Sequence, residues 1–326
     1  MQLPVDIKAV IDELTDVETA RKAPISVSVY IDEACPADIA AHVRAAFTSD
    51  QDTVRLTVAY CDGYVMPHPT DDMAVVVAGA SPDISAFIAQ IRAVGVPAMV
   101  VTTMPEIVAK QAEQAGAGIP EGDLIAPAVE GATANDEPYV LTNEMREEID
   151  VRMGRWIATV CREKRLAFAA AFPFVRRPLA YDAILSTSLQ NAGIGLMPII
   201  LGADMPVMTL NQIKMTLQIA AAYGQPMGKE RAKEILAVVG SAFACRTLAR
   251  ELVGFIPVLG FVIRPGIGYA ATAALGFAVM EYFEGGESIS GVANVATRFA
   301  EKGVKLATVV KGKLGEVGII KNAQAV

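Results

Sequence analysis

MAVVVAGASPDISAFIAQIRAVGVPAMVVTT, residues 73–103, decides the class of fold. Two short valine-rich runs flank an amphipathic stretch, with Ser81, Pro82 and Asp83 at its start and Gly95 at its end. A hydroxyl or carboxylate caps the first free N–H groups of a helix, and glycine takes the left-handed turn that closes one. The unit is therefore strand, helix, strand. Both runs are apolar without alternation, the pattern of strands covered on two faces, and two such strands joined by a helix run parallel.

Outward from this unit the same alternation holds. Upstream lie ISVSVYI (25–31), PADIAAHVRAAF (36–47) and TVRLTVAY (53–60); downstream lie MPEIVAKQAEQAG (104–116), with Gly116 as its stop, and DLIAPA (123–128). The order β, α, β, β, α, β, α, β predicts an α/β domain over residues 25–128, built on a mostly parallel sheet of Ras-like or Rossmann-like type. Folds of this type bind phosphate at the turn after the first strand.

That turn reads DEACPADIA, residues 32–40. A P-loop needs glycines, so that backbone N–H groups can close around phosphate, and a lysine that reaches the outer phosphates. Here stand Asp32, Glu33 and Asp38, with no glycine and no lysine, a loop that repels a triphosphate. Thr102 to Glu106, TTMPE, lacks the N-K-x-D that reads guanine, and Gly228-Lys229 and Gly312-Lys313 are lone dipeptides. Neither GTP nor ATP is expected to bind, and no cofactor is expected.

Cys35, Cys61, Cys161 and Cys245 lie far apart, with only His42 and His68 to assist them as ligands, so no zinc site is expected. Cys35, at a strand-to-helix turn, is the one thiol a helix N-terminus would activate, but no histidine is close in sequence to pair with it, and it reads as a small residue ahead of a helix. HPTDD, residues 68–72, gathers an imidazole and two carboxylates; it reads as a solvated loop rather than a cation site. The start, MQLPVDIKAVIDELTD, has early charges and no apolar core of a signal peptide, so residues 1–24 are expected to form a helical segment and the thiols to stay reduced.

A chain of 326 residues suggests two domains. Mean hydropathy of +0.39 and 53% hydrophobic residues imply a large core or contact with lipid. Residues 1–150 hold 25 Asp/Glu and 8 Lys/Arg, which leaves 11 and 20 for the rest, so the halves carry −17 and +9. The acidic front and basic, apolar back suit a protein partner or anionic lipid, and nothing in them suits nucleic acid. VEGATANDEP, residues 129–138, is the expected linker. A long helix is expected after it through LTNEMREEIDVRMGRWIATVCREKRLAFAAAF, with Thr142 as cap and Glu144 to Glu148 at the positive end of the helix dipole.

The remainder contains AFPFVRRPLAYDAI, STSLQNAGIG, GADMPVMTLNQIKMTLQIAAAYG, ERAKEILAVVGSAFACRTLARELVGFIPVLG and GYAATAALGFAVMEYFEGG. The P-x-x-x-x-N-Q-x-x-M run with its following YG, the R-x-x-x-R pair of Arg246 and Arg250, and the terminal YFEGG resemble the YcjF-type domain of unknown function. This helical module is often found behind Era-like GTPase domains and in some inner-membrane proteins. The resemblance covers about residues 165–286 and implies no activity. It implies an α/β unit in the GTPase position, here without the GTPase motifs and hence a pseudo-GTPase, with an all-α module over 139–286 and a tail over 287–326.

Within the module, Leu210, Ile213, Leu217 and Ala221 share one helix face, while Asn211, Lys214 and Gln218 fall on another beside Gln212. Asp204 reads as the cap of this helix, with Pro206 in its first turn, and Gln190, Asn191 and Asp204 are the candidate partners of the amides. Two readings stand: an interface on which a partner docks, and an internal helix-helix network. Arg246 and Arg250, one turn apart, suit lipid headgroups, phosphate, or Glu251 and Glu281. Residues 252–283 are apolar apart from Arg264 and Glu281, and Arg264-Pro265 splits them into two pieces. That pattern predicts a re-entrant or shallow membrane hairpin containing Gly254, Phe255, Arg264, Pro265, Gly276 and Phe277, with a wholly soluble helical core as the alternative. A second apolar candidate, residues 192–208, is interrupted by Asp204 and two prolines. The tail, 288–321, outlines a basic amphipathic helix that suits either a membrane surface or packing onto the module. The expected function is a non-enzymatic adaptor or scaffold at the cytoplasmic face of the cell membrane, contacting lipid and a protein partner of unknown identity. The alternative is a soluble binding or self-assembling homo-oligomeric module in the cytoplasm, and a nucleotide-dependent enzyme is the third class.

Overall fold

The computed structural model describes residues 7–61, 65–127, 141–196, 204–225, 227 and 257–285. The expected linker, the basic tail, Arg246, Arg250, Gly254 and Phe255 lie outside the described residues. The chain divides into two compact units, Thr19–Leu179 and Met1–Glu18 with Ala180–Val326.

The first unit carries a sheet of β1 (Ile25–Ile31), β2 (Val54–Tyr60), β3 (Met73–Val77), β4 (Ala98–Val101) and β5 (Leu124–Ile125) in the order β2-β1-β3-β4-β5. Every pairing is parallel, with Ile25 opposite Val54, Val27 opposite Met73, Ala74 opposite Ala98 and Val100 opposite Leu124. The expected parallel α/β sheet is present. Its order reverses between β1 and β3, the flavodoxin-type 2-1-3-4-5 arrangement rather than the 3-2-1-4-5-6 of a Rossmann sheet. Helices α2 (Ala37–Ala46), α3 (Ile84–Ala93) and α4 (Pro105–Gln114) follow β1, β3 and β4. The described part of the β2 to β3 connection, residues 65–72, is loop.

Alternation along the strands divides the core in two. One face presents Tyr30, Ala74, Val76 and Val100 to Ile84, Phe87, Ile88 and Ile91 of α3 and to Val108 of α4. The Tyr30 and Phe87 rings meet edge to face with centroids 4.9 Å apart. Val27, Val29, Met73, Val75 and Met99 point the other way and are buried, as are Ile39 and Val43 of α2. α5 (Asn143–Val160) joins this unit, contacting β4 and β5 and burying Ile149, Met153 and Ile157. Phe47 at the end of α2 meets Phe172 and Phe174 at 5.0 and 5.1 Å. A Cβ on Gly154 would lie 2.7 Å from the Phe174 carbonyl oxygen, so only glycine admits that close helix crossing. Residues 141–179, expected with the helical module, thus complete the sheet unit, because a doubly wound sheet has two faces to cover.

Local signals met mixed outcomes. Thr142 caps α5, its hydroxyl accepting from Met145 N, and Gly95 and Gly116 take φ of 81° and 69° where their helices stop. The expected continuous helix after 141 is instead two helices, α5 and α6 (Arg165–Ala171). At the break, residues 161–164, the Lys164 ammonium pairs with Asp72 at 2.7 Å and donates to the Pro24 carbonyl at 2.9 Å. Ser81 does not cap α3: the helix begins at Ile84, and Ser81 N donates to the Asp32 carboxylate.

The second unit contains α1 (Ile7–Arg21) up to Glu18, α7 (Pro173–Leu196) from Ala180, α8 (Asp204–Ala222) and α9 (Pro257–Glu284). Val10, Leu14 and Val17 form the buried side of α1. α8 packs on α9, and a Cβ on Gly276 would lie 2.5 Å from Ile184 Cγ1 and 3.1 Å from Met215 Sδ, so small residues let these helices approach. α9 runs unbroken through Arg264 and Pro265, so the expected turn of a hairpin there is not formed. Proline removes one backbone donor, which a long helix tolerates when its neighbouring turns stay bonded. Among the described residues no helix is long and apolar enough to cross a membrane. From residue 141 onward the described elements are all helices.

Candidate functional site

A doubly wound sheet offers its ligand site outside the carboxyl ends of the strands where the order reverses, here between β1 and β3. The chain fills that place itself. Asp32, the residue after β1, is 3% exposed. Its Oδ2 accepts from Gly79 N at 2.8 Å and Ser81 N at 3.4 Å, and its Oδ1 from Ala34 N at 3.1 Å. A Cβ on Gly79 would lie 2.3 Å from the Ala34 carbonyl carbon and 2.5 Å from Cys35 N, so the loops after β1 and β3 touch backbone to backbone. Amide groups that would bind a phosphate in a phosphate-binding relative of this architecture are held by a built-in carboxylate. Asp32 was anticipated only as a repelling charge; two of its three partners are 47 and 49 residues away, beyond any local pattern.

Cys35 is not poised as a nucleophile. Burial first, then Asp32 and Asp38, push its thiol up to about 12. Burial, followed by Asp72, also pushes the Cys161 thiol up to about 12. Thiols so shifted remain protonated and weakly reactive at neutral pH. The HPTDD carboxylates are engaged in holding the 65–72 loop. Asp71 accepts from Arg55 at 2.7 Å and from the Ser28 hydroxyl, and Asp72 accepts from Ser26 N at 2.8 Å and binds Lys164. His68 Nδ1 lies 3.0 Å from the Thr70 hydroxyl. No group of His, Cys, Asp and Glu among the described residues could hold a metal.

The polar residues of the helical unit converge on one hydroxyl. Asn191 Nδ2 donates to Thr272 Oγ1 at 2.9 Å and to the Met208 carbonyl at 3.3 Å. Gln212 Nε2 donates to the same Thr272 Oγ1 at 3.0 Å, and that hydroxyl donates to the Gly268 carbonyl at 2.8 Å. Asn211 Nδ2 donates to Asn191 Oδ1 at 3.0 Å. Thr272 thereby uses its one proton and both lone pairs. Asn191, Asn211 and Gln212 are brought together as an internal network across α7, α8 and α9. Lys214 stands apart from it and pairs with Glu13 of α1 at 2.7 Å. Gln218 is half-buried, and Asp204 is the first residue of α8 rather than the one before it. Of the expected hairpin residues, Gly276 serves helix packing and Phe277 meets the Tyr181 ring at 5.3 Å. Thr272 was missed because a lone threonine in GYAATAALG looks like one more small residue.

The helical unit buries a set of polar residues within an apolar core that includes Ile184, Met208, Ile213, Leu217, Ile219 and Leu275. Thr187, Ser188, Asn191, Thr209, Gln212, Thr216 and Thr272 are buried, whereas Leu185 is 43% and Leu189 64% exposed, with Tyr181 and Val207 also at the surface. The Ser188 and Thr216 hydroxyls donate to carbonyls of their own helices, at Ile184 and Gln212. No protein-family model matches the chain, and no curated protein matches it.

Proposed function

We propose that this chain is a non-enzymatic adaptor that rests against a membrane surface through its helical unit and offers its acidic α/β unit to a protein partner. The observation that carries the reading is the satisfied polar cluster inside the helical unit, together with the exposed Leu185 and Leu189 on α7. Such a cluster is compatible with an apolar surrounding, where every inward polar group must be satisfied within the protein, and the two leucines offer that surrounding apolar surface. The Asp32 carboxylate at the β1 and β3 loops supports a pseudo-GTPase role for the α/β unit, because it consumes the amides a nucleotide phosphate needs. The resemblance of the helical module to the YcjF-type domain agrees with both parts.

Flotation of the full chain on lipid vesicles tests the reading; a protein that stays with the dense fraction for every lipid composition refutes it. A self-assembling soluble module is the second reading, favoured by the open edge of β2, where Val58 and Tyr60 are exposed. Sedimentation in the absence of lipid separates the two, since only the second predicts concentration-dependent mass.

A further inference from the structure

Strand β2 closes one side of the sheet, and its pairing with β1 fixes which of its backbone groups point outward. Ile25 N donates to the Thr53 carbonyl at 3.0 Å, and Cys61 N donates to the Ile31 carbonyl at 2.8 Å. In a parallel ladder one residue turns both its groups to a neighbouring strand and the next turns them away. Arg55, Thr57 and Ala59 therefore face β1, and Leu56, Val58 and Tyr60 carry their N–H and C=O groups outward, with no backbone partner among the described residues. The same three side chains share one face of the sheet, beside Val27, Val29 and Ile31. Those β1 residues are buried, while Leu56 is half-buried and Val58 and Tyr60 are 43% and 53% exposed. Proline, lysine and free charge are what keep a natural edge from pairing. β2 has neither proline nor lysine, and its one charge, Arg55, is held within the chain by Asp71 at 2.7 Å.

Donors and acceptors at strand spacing select an extended backbone, and a second copy of β2 supplies one in a single register. Resting on the self-assembling reading above, we propose that two copies of the chain join β2 to β2, antiparallel, about a twofold axis through Val58. Val58 then lies opposite its copy and Leu56 opposite Tyr60 of the copy, so every outward residue meets an outward residue and each pair exchanges two hydrogen bonds. A slip of one residue sets outward groups against groups that β1 already uses. A slip toward the start of the strand engages Val54, whose N–H is given to the Gln51 carbonyl. The charges agree with this direction: Arg55 falls opposite Cys61 of the copy, and the exposed Asp50 and Asp52 lie at the far end from their counterparts, whereas a parallel copy sets like charges side by side. The other edge, β5, offers only Leu124–Ile125, so β2 pairs best with itself, and a twofold closes after two chains. Seven residues span about 23 Å and cover less than the about 800 Å² per partner of a standard interface, so the dimer belongs to the micromolar range.

Sedimentation of the full chain without lipid, across the micromolar range, should show monomer passing to dimer and no further. Val58→Lys sets two ammonium groups face to face at the axis and should raise the dissociation constant about 10-fold or more. Its melting, measured on dilute monomer, should match the parent, because the side chain is already half exposed. Val94→Lys, on an equally exposed valine away from the edge, should dimerise as the parent does. Val58→Cys should give a disulfide-linked dimer on air oxidation that Val94→Cys does not, since directly paired strand residues lie about 5.5 Å apart between Cα atoms, within disulfide reach. That crosslink decides the matter even if Val58→Lys melts lower. Parent-like dimerisation of Val58→Lys, or no crosslink by Val58→Cys beyond that of Val94→Cys, overturns the β2 pairing and leaves self-assembly standing; growth past the dimer overturns the twofold. A parent that stays monomeric at every concentration removes both.

Discussion

Replacing Asp32 with alanine strips three backbone donors of their acceptor at the place where the sheet order reverses. The Gly79 and Ala34 bonds, at 2.8 and 3.1 Å, have full hydrogen-bond length, while Ser81 at 3.4 Å is marginal. A buried donor left without an acceptor costs about 1–3 kcal/mol, so two of them amount to about 2–6 kcal/mol. For a unit of roughly 160 residues that corresponds to a melting temperature lower by about 4–24 °C. Urea titration followed by far-ultraviolet circular dichroism reads the change, with the slope unaltered if only stability has moved. The freed amides should also accept an outside anion. Inorganic phosphate then raises the melting temperature of Asp32→Ala and leaves the parent unaffected, because a ligand bound only to the folded state stabilises it by mass action. A variant within about 0.5 kcal/mol of the parent, the range of an ordinary surface change, would refute the reasoning. So would phosphate stabilisation of the parent, since it requires free amides that Asp32 is argued to occupy.

Two further outcomes follow from the site. Thr272→Val keeps the shape of the side chain but leaves the Asn191 and Gln212 amides short of an acceptor; it should lower stability by about 2–4 kcal/mol, with Thr272→Ser restoring most of it, both read by denaturant titration. Cys35 and Cys161 bring an alkaline limit, because each thiol ionises near 9.0 when unfolded and only at about 12 when folded. The unfolded state loses protons first, so their contribution is complete below pH 9.0 and declines as pH rises through about 12. Melting temperature measured across that window should fall less steeply in Cys35→Ala with Cys161→Ala than in the parent.

The strands and helices of the sheet were legible because each announces itself within about ten residues, as the valine runs at 73–77 and 98–101 do. Strand order was not read, although β2, VRLTVAY with Arg55 and Thr57, alternates as a part-exposed edge strand does while β3, MAVVV, is apolar throughout as a buried one is. The turn at 161–164 was hidden as well, and Lys164 at its end pairs with Asp72, a partner 92 positions earlier. At the polar network the pattern revealed half. An amide stripe on an apolar helix signalled a need for partners, and Asn191 answered as expected for Asn211. The hydroxyl that organises the group, Thr272, has no local signature, and Gln212 turned out to lie deeper than Lys214 or Gln218. Lys214 found Glu13, an acid at the far end of the chain that no spacing rule connects to it.

That last pair bears on how the protein is made. One unit draws on both ends of the chain, Met1–Glu18 and Ala180–Val326, and the other is inserted between them. During synthesis α1 precedes the other helices of its unit, and Lys214 follows Glu13 by about 200 residues, a delay on the order of 10–40 s at usual rates of elongation. Until then Glu13 lacks its partner, and by the end of that wait Thr19–Leu179 already holds every strand of its sheet. The sheet unit is thus complete in sequence before the helices that share a unit with α1 have been made, so α1 waits for them across the whole length of the intervening unit.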